Sequence, residues 1–306
     1  MSKKKEQYVN PKNHIKPPKS DKIFYGIIYM IIALLVLIVV YPLIYIVSAS
    51  FSSAKSILSG AMWLFPVDID LVGYKYVLQY KYVWIGYRNT IFYTAAYTVL
   101  AIAMTLICAY PLARRQLRFK GFFTFLFTFT MLFGGGMIPN YLLMRSLGLQ
   151  NTEWVMIIPG CLSVYNMIVR RTFIQSNIPE DLLEAARIDG CNDFKYFFRI
   201  VLPLSKTIIA VLALMYASGM WNSYFSAFLY LTDKELYPLQ IFLRQILVNS
   251  NFDSDMLDPD ALEQMQTLQQ ILKYSIIVIS TAPMICFYPF VQKYFEKGVM
   301  IGSLKG

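Results

Sequence analysis

Six long apolar runs limit what this chain can become. They fall at about 23–47, 89–113, 121–144, 152–174, 204–231 and 271–291. Each approaches or exceeds the roughly 18–20 residues that a helix needs to cross a bilayer core. The runs are continuously apolar rather than alternating, which argues against a transmembrane β-barrel. With 57% hydrophobic and only 15% charged residues, the chain also lacks the surface of a soluble domain. The expected fold is all-α: a polytopic membrane protein of six transmembrane helices.

The formal net charge of +10 is a topology signal rather than a nucleic-acid signal. Assigning the N-terminus, the second and fourth connections and the C-terminus to one side collects 20 of the 28 Lys and Arg residues there. Short loops rich in Lys and Arg stay in the cytoplasm, so both termini are expected there. Residues 1–22 form a basic tail, with seven lysines among prolines, suited to an anionic membrane surface. Residues 23–306 then form the membrane domain. The first run and the Ser48-Ala49-Ser50 that follows it have the look of a signal peptide. At about 25 residues it far exceeds the 7–15 of a signal-peptide core, so an uncleaved helix is expected.

Little here supports covalent or metal chemistry. His14 is the single histidine, and Cys108, Cys161, Cys191 and Cys286 have no metal-ligand spacing, so buried, inert thiols are expected. Gly134-Gly135-Gly136 is not followed by the Gly-Lys-Ser/Thr of a phosphate loop; its glycines suit close helix packing or a loosened helix, packing being the commoner use. The acidic segment 232–270 lacks the glycine and spacing of a calcium loop and reads as a solvated outward connection.

One polar stretch, residues 176–203, interrupts the apolar pattern between the fourth and fifth runs and falls on the cytoplasmic side. Pro179 suits a first helical position, Glu180 and Asp181 suit the positive end of the helix dipole, and Gly190 supplies a left-handed stop. A helix of about three turns is expected. Its residues Glu184-Ala185-Ala186, then Gly190, then Ile200-x-Leu202-Pro203 resemble the EAA loop of bacterial ABC importer permeases. Resemblance extends over about 87–292 and beyond, through Gly134 to Tyr141, Leu147-Gly148-Leu149, Asn166, Arg171-Thr172-Phe173, Trp221-Asn222, Tyr237-Pro238-Leu239-Gln240 and the ending Gln292 to Gly306. Together these motifs are similar to the carbohydrate-uptake branch, and within it to permeases for complex oligosaccharides served by a lipoprotein-type binding protein.

The resemblance implies a coupling helix that docks on a separate ATPase, with Glu184, Ala185, Ala186, Arg187, Gly190 and Pro203 as the coupling residues. It implies a heterodimer with a second permease, two ATPase subunits carrying ATP and Mg, an extracellular solute-binding lipoprotein, and a place in the bacterial cytoplasmic membrane. The sequence contains no G-x-x-x-x-G-K-[ST] run, so ATP hydrolysis is expected on another polypeptide and no cofactor in this one. Polar and aromatic groups in the spans are the candidates for a sugar path: Tyr93 and Tyr97, Tyr165 and Asn166, and Trp221, Asn222 and Tyr224. The competing reading makes the asparagines interhelical bonds and the aromatics packing. A different solute, such as a peptide, amino acid or phosphate-containing compound, is the alternative cargo, and a membrane scaffold or enzyme the alternative class.

Overall fold

The computed structural model describes residues 19–248, 269–289 and 292. They form α1 (Lys19–Ser50), α2 (Ala54–Leu58), α3 (Val72–Gln79), α4 (Lys81–Ala113), α5 (Lys120–Leu132), α6 (Met137–Ser146), α7 (Trp154–Ile157) and α8 (Val164–Asn177). After these come α9 (Asp181–Ile188), α10 (Asp193–Tyr196), a π-turn (Phe197–Val201), α11 (Leu202–Leu204), α12 (Lys206–Trp221) and α13 (Phe225–Tyr230). A 3-10 turn (Lys234–Leu236), α14 (Leu239–Val248) and α15 (Gln269–Pro289) complete the series. Among the described residues there is no β-strand, and one isolated bridge joins Ser52 to Ile69. The described start of segment 232–270 is not a solvated loop but the 3-10 turn and α14, which buries Leu239, Ile241 and Phe242; its aspartate-rich part, most of the basic tail and the C-terminal motif lie outside the described residues.

The helix α4 organises the fold. It packs against α3, α5, α7, α8, α12, α14 and the 3-10 turn. Its buried face runs through Gly86, Thr90, Tyr93, the half-buried Tyr97, Ala101, Thr105, Ala109 and Leu112, a seam at three- and four-residue spacing. Small residues there allow close approach: a Cβ on Gly86 would lie 2.9 Å from the Leu239 Cα and 3.1 Å from its nitrogen. By contrast α1 exposes nearly all of its apolar side chains, as a lipid-facing helix does. Its end is anchored, with Ser48 donating to the Leu64 carbonyl at 2.5 Å and the Ser50 and Tyr74 hydroxyls 2.7 Å apart.

Among the described residues three helices, α1, α4 and α15, are long and apolar enough to cross a membrane unbroken, and two bent helix pairs raise the number to as many as five. The expected third span is not continuous. α5 and α6 meet at 107° across Gly134–Gly136, and among the described residues nothing beyond the chain neighbours comes within 4 Å of a Cβ built on Gly134 or Gly135. The glycines therefore break the helix rather than pack it. In the fourth region α7 ends before Pro159-Gly160, and the 14 residues of α8 extend only about 21 Å. The fifth region stops being helical at Trp221 instead of continuing to Leu231, with α13 resuming after a turn. The second helix begins at Lys81, earlier than its apolar run suggests. Of the cysteines, three are half-buried and Cys286 is exposed, so the expected burial is incomplete.

The contact at Gly86 gives a direct test. Gly86→Ala forces the α4–α14 crossing apart at a cost of about 1–3 kcal/mol, whereas Gly121→Ala meets open space. In detergent, the Gly86 variant should unfold several degrees lower than both wild type and Gly121→Ala; equal midpoints would show that α14 yields freely.

Candidate functional site

The polar stretch folds as a short amphipathic helix. α9 spans eight residues, about two turns rather than three, because Pro179 precedes the cap residue Glu180 instead of opening the helix. Its other end is a Schellman stop: the Gly190 N–H donates to the Arg187 carbonyl at 3.0 Å and the Cys191 N–H to the Ala186 carbonyl at 2.8 Å. Gly190 holds φ at 74° in open space, so the requirement there is the left-handed backbone and not room. Leu183 and Ala186 are buried with Ala113, Ile174, Ile178, Tyr196 and Val201. Glu184, Ala185, Arg187 and Gly190 are exposed. So are Ile188 at 87% and Phe194 at 78%, an apolar pair in a segment otherwise polar.

A polar latch fastens this segment to the end of α4. Arg114 pairs with Asp193 at 3.0 Å and lies over the rings of Tyr110 and Tyr196, 5.4 and 5.6 Å from their centroids. Arg187 donates to Gln116 at 3.2 Å, and Arg115 pairs with Glu180 at 3.2 Å. Burial pushes the Tyr196 phenol up, with the charge of Arg114 opposing it. A cavity of about 400 Å³ lies beneath α9, walled by residues such as Ala113, Ile174 and Tyr196. Pro203 explains the irregular backbone that follows. It has no N–H to bond the Arg199 carbonyl and its ring crowds that turn, so the chain widens into the π-turn before it. Pro203 is itself exposed.

The second site is a cavity of about 410 Å³ between α4, α7, α8, α12 and α13. Its polar side chains are Tyr97, Ser163, Asn166, Tyr216, Ser223, Ser226 and Tyr230. Asn166 is held at the N-terminus of α8, where the Ser163 hydroxyl accepts from its N–H. Asn166 is only 5% exposed, yet its Oδ1 has no hydrogen-bond partner. Tyr97 donates to the Gly160 carbonyl at 2.8 Å, and the Tyr216 and Thr105 hydroxyls are 2.7 Å apart. The wall thus combines hydroxyls, an amide and aromatic faces.

Of the seven residues expected on a sugar path, Tyr97 and Asn166 meet at this cavity. Tyr93 is buried and donates to the Leu236 carbonyl at 2.9 Å. Trp221 donates to the Ser280 carbonyl at 3.1 Å, bonding α12 to α15. Asn222 caps α12 through the Ser218 carbonyl at 2.9 Å, Tyr224 lies beneath Arg244, and Tyr165 is exposed away from the lining. Tyr216, Ser163, Ser223 and Ser226 escaped sequence reasoning; Tyr216 carried the same signal as Tyr97, a hydroxyl inside an apolar run. Arg170, which with Arg171 is expected from the sequence to close the fourth span, is instead fully buried in α8.

The described residues thus form an apolar helical body with an exposed amphipathic helix, α9, and an interior polar cavity. The family of binding-protein-dependent transport system inner membrane components matches residues 89–301. The polygalacturonan/rhamnogalacturonan transport system permease protein YtcP of Bacillus subtilis (strain 168) is 39% identical over 287 residues, 94% of this chain and 99% of that protein. Protein LplC of the same organism is 39% identical over 269 residues, 88% of this chain and 90% of LplC. The crystal structure of a bacterial ABC transporter involved in the import of the acidic polysaccharide alginate contains a chain that superposes with a TM-score of 0.83. The two are 36% identical, over 92% of this chain and 99% of that one. This chain belongs to the family of binding-protein-dependent transport system inner membrane components, and is a multi-pass membrane permease. Membership implies work alongside a further permease, an ATPase and a solute-binding protein.

The latch predicts a local effect. Arg114 is 17% exposed at its side chain and is gripped by two rings as well as Asp193, whereas Arg115 is 83% exposed. Arg114→Ala should raise the rate of tryptic cleavage at Arg187 and Lys195 by about fivefold or more, and Arg115→Ala by less than about twofold. Equal rates would remove Arg114 as the fastening point.

Proposed function

We propose that this chain is one of two permease subunits in a bacterial ATP-driven importer that takes up an oligosaccharide from an extracellular binding lipoprotein. Six crossings, with both termini and α9 in the cytoplasm, agree with the charge distribution: the latch arginines and α9 then share the basic side. Two ATPase subunits, holding ATP and Mg, meet α9 there. Glu184, Ala185, Arg187 and Gly190 contact or shape the contact with the ATPase, while Ala186 and Pro203 hold the loop in place. No reaction on the solute is assigned to this chain.

The observation that carries this reading is the exposed apolar pair Ile188 and Phe194 beside Glu184, on a segment tied to α4 through Arg114. Such a surface needs a protein partner outside the bilayer. The same α4 supplies Tyr97 to the cavity, so one helix joins the docking face to the polar wall. Sugars present hydroxyls and apolar ring faces together, which suits Asn166, Tyr97, Tyr216 and the serines. Relatives named for polygalacturonan/rhamnogalacturonan and for alginate support a saccharide cargo.

The test uses the complete transporter in proteoliposomes. Gly190→Val strains a left-handed position by about 1–2 kcal/mol, and Glu184→Lys reverses the charge on the docking face. Each should lower ATP-dependent oligosaccharide uptake by about tenfold or more while the chain still inserts and pairs with its partner permease. Uptake unchanged in both variants would remove α9 from coupling.

A further inference from the structure

The cavity wall carries no charged side chain, but two arginines stand immediately behind and beside it. Arg170 lies one helical turn beyond Asn166 on the buried face of α8, which consists of Asn166, Met167, Arg170 and Ile174. It is 0% exposed, and its Nε, Nη1 and Nη2 all lack hydrogen-bond partners. The Phe173 ring, 5.8 Å from the guanidinium carbon, is its recorded cation–π contact. A guanidinium keeps its charge in a protein, and none of the ion pairs among the described residues involves Arg170. A buried cation without a counter-charge is costly, and within membrane proteins such groups mark solute and ion pathways.

Arg244 on α14 is the second. Its guanidinium carbon lies over Tyr224 at 4.6 Å and Phe228 at 5.3 Å, at the α12–α13 corner that supplies Ser223 and Ser226 to the cavity. Arg244 is exposed and forms no ion pair among the described residues. Among the described residues, no acid pairs with either arginine. Glu235 is taken by Lys81, Asp233 accepts from the Glu235 N–H, and Glu153 is exposed and does not line the cavity.

We propose that this cavity prefers saccharides bearing a carboxylate, and that Arg244 and Arg170 are the specificity-determining residues. The inference rests on the saccharide reading above. Hydroxyls of the glycan meet Asn166, with its open Oδ1, and the phenols and serines. Arg244 is held 4.6 Å from the Tyr224 centroid, is exposed and has no ion-pair partner among the described residues, so its N–H fork is available to take a planar carboxylate bidentately. Arg170 does not touch the sugar. It acts through its field from behind the Asn166 wall, where permittivity is low and no counter-charge pairs with it among the described residues. Across roughly 10 Å at an effective permittivity of about 20, one such charge shifts preference on the order of tenfold.

The experiment uses the complete transporter with its binding protein in proteoliposomes, supplied with a radiolabelled galacturonate trisaccharide or its methyl ester. The ester has the same shape and no charge. Wild type should import the acid about tenfold faster than the ester. Arg244→Gln and Arg170→Gln should each narrow that ratio by about threefold or more, chiefly by slowing the acid, and Arg170→Lys should keep it. A ratio unchanged in both Gln variants, or both substrates slowed equally, overturns the proposal. If Arg170→Gln does not assemble, Arg244→Gln alone decides it, because that side chain lies on the surface. If wild type imports neither glycan, it is the saccharide reading that fails.

Discussion

In hydrocarbon every backbone N–H and C=O must find a partner within the protein, and the side chains of α4 meet that demand for the broken segments around it. Asn89 donates to the carbonyls of Glu235 and Tyr237 at 2.7 and 3.1 Å, Tyr93 to Leu236 and Tyr97 to Gly160. The Thr90 hydroxyl accepts from the Leu239 N–H at 2.9 Å. Tyr87 donates to the Ile279 carbonyl, which Pro283 leaves without its helical N–H donor. One continuous helix thus supplies, turn after turn, the donors and acceptors that its irregular neighbours lack.

This explains where irregular backbone is permitted. The break between α7 and α8 sits against Tyr97, and the segment after α13 is caught by Asn151. The Asn151 Oδ1 accepts from the N–H groups of Thr232 and Asp233, both at 2.9 Å. Asn151 itself adopts φ of 55°, a conformation asparagine tolerates better than most residues. These breaks are also where the cavity forms, since a chain that leaves the helix presents Gly160, Ser163, Ser223 and Ser226 inward. Polar lining and backbone repair therefore draw on the same residues, as with Tyr97, which closes the Gly160 carbonyl while its ring forms wall.

Much of the fold was legible because the bilayer imposes a length that apolar runs reveal directly, and α1, α4 and α15 follow it. The amphipathic helix α9 was legible through Gly190, whose freedom to hold positive φ marks a helix stop whatever surrounds it. The broken spans were not, because Gly134–Gly136 and Pro159-Gly160 break a helix or pack it according to neighbours remote in sequence. Arg170 was misplaced for a related reason: counting charges assigns a side of the membrane but no depth. At the cavity, residue type separated polar from apolar but gave no direction. Tyr93, Tyr97 and Tyr216 are alike in sequence, and their roles diverge according to which carbonyl or hydroxyl each meets.

The unbroken helix α8 carries the last consequence. Its buried face presents Asn166 to the upper cavity and Ile174 to the cavity beneath α9, with Arg170 between them. Ile178 and Pro179 then lead directly into α9. In the proposed cycle, a displacement of α9 reaches the cavity wall by two routes: along α8 itself, and through Arg114 to α4. Moving α8 along its axis would usually mean breaking side-chain bonds on its buried face. Here the largest group on that face makes none, so sliding costs it no hydrogen bond. The same want of a partner among the described residues that leaves its charge unpaired also leaves Arg170 free to travel with the helix. Its charge would then move relative to the cavity as α9 is pushed, coupling the attraction for an anionic sugar to the state of the docking helix.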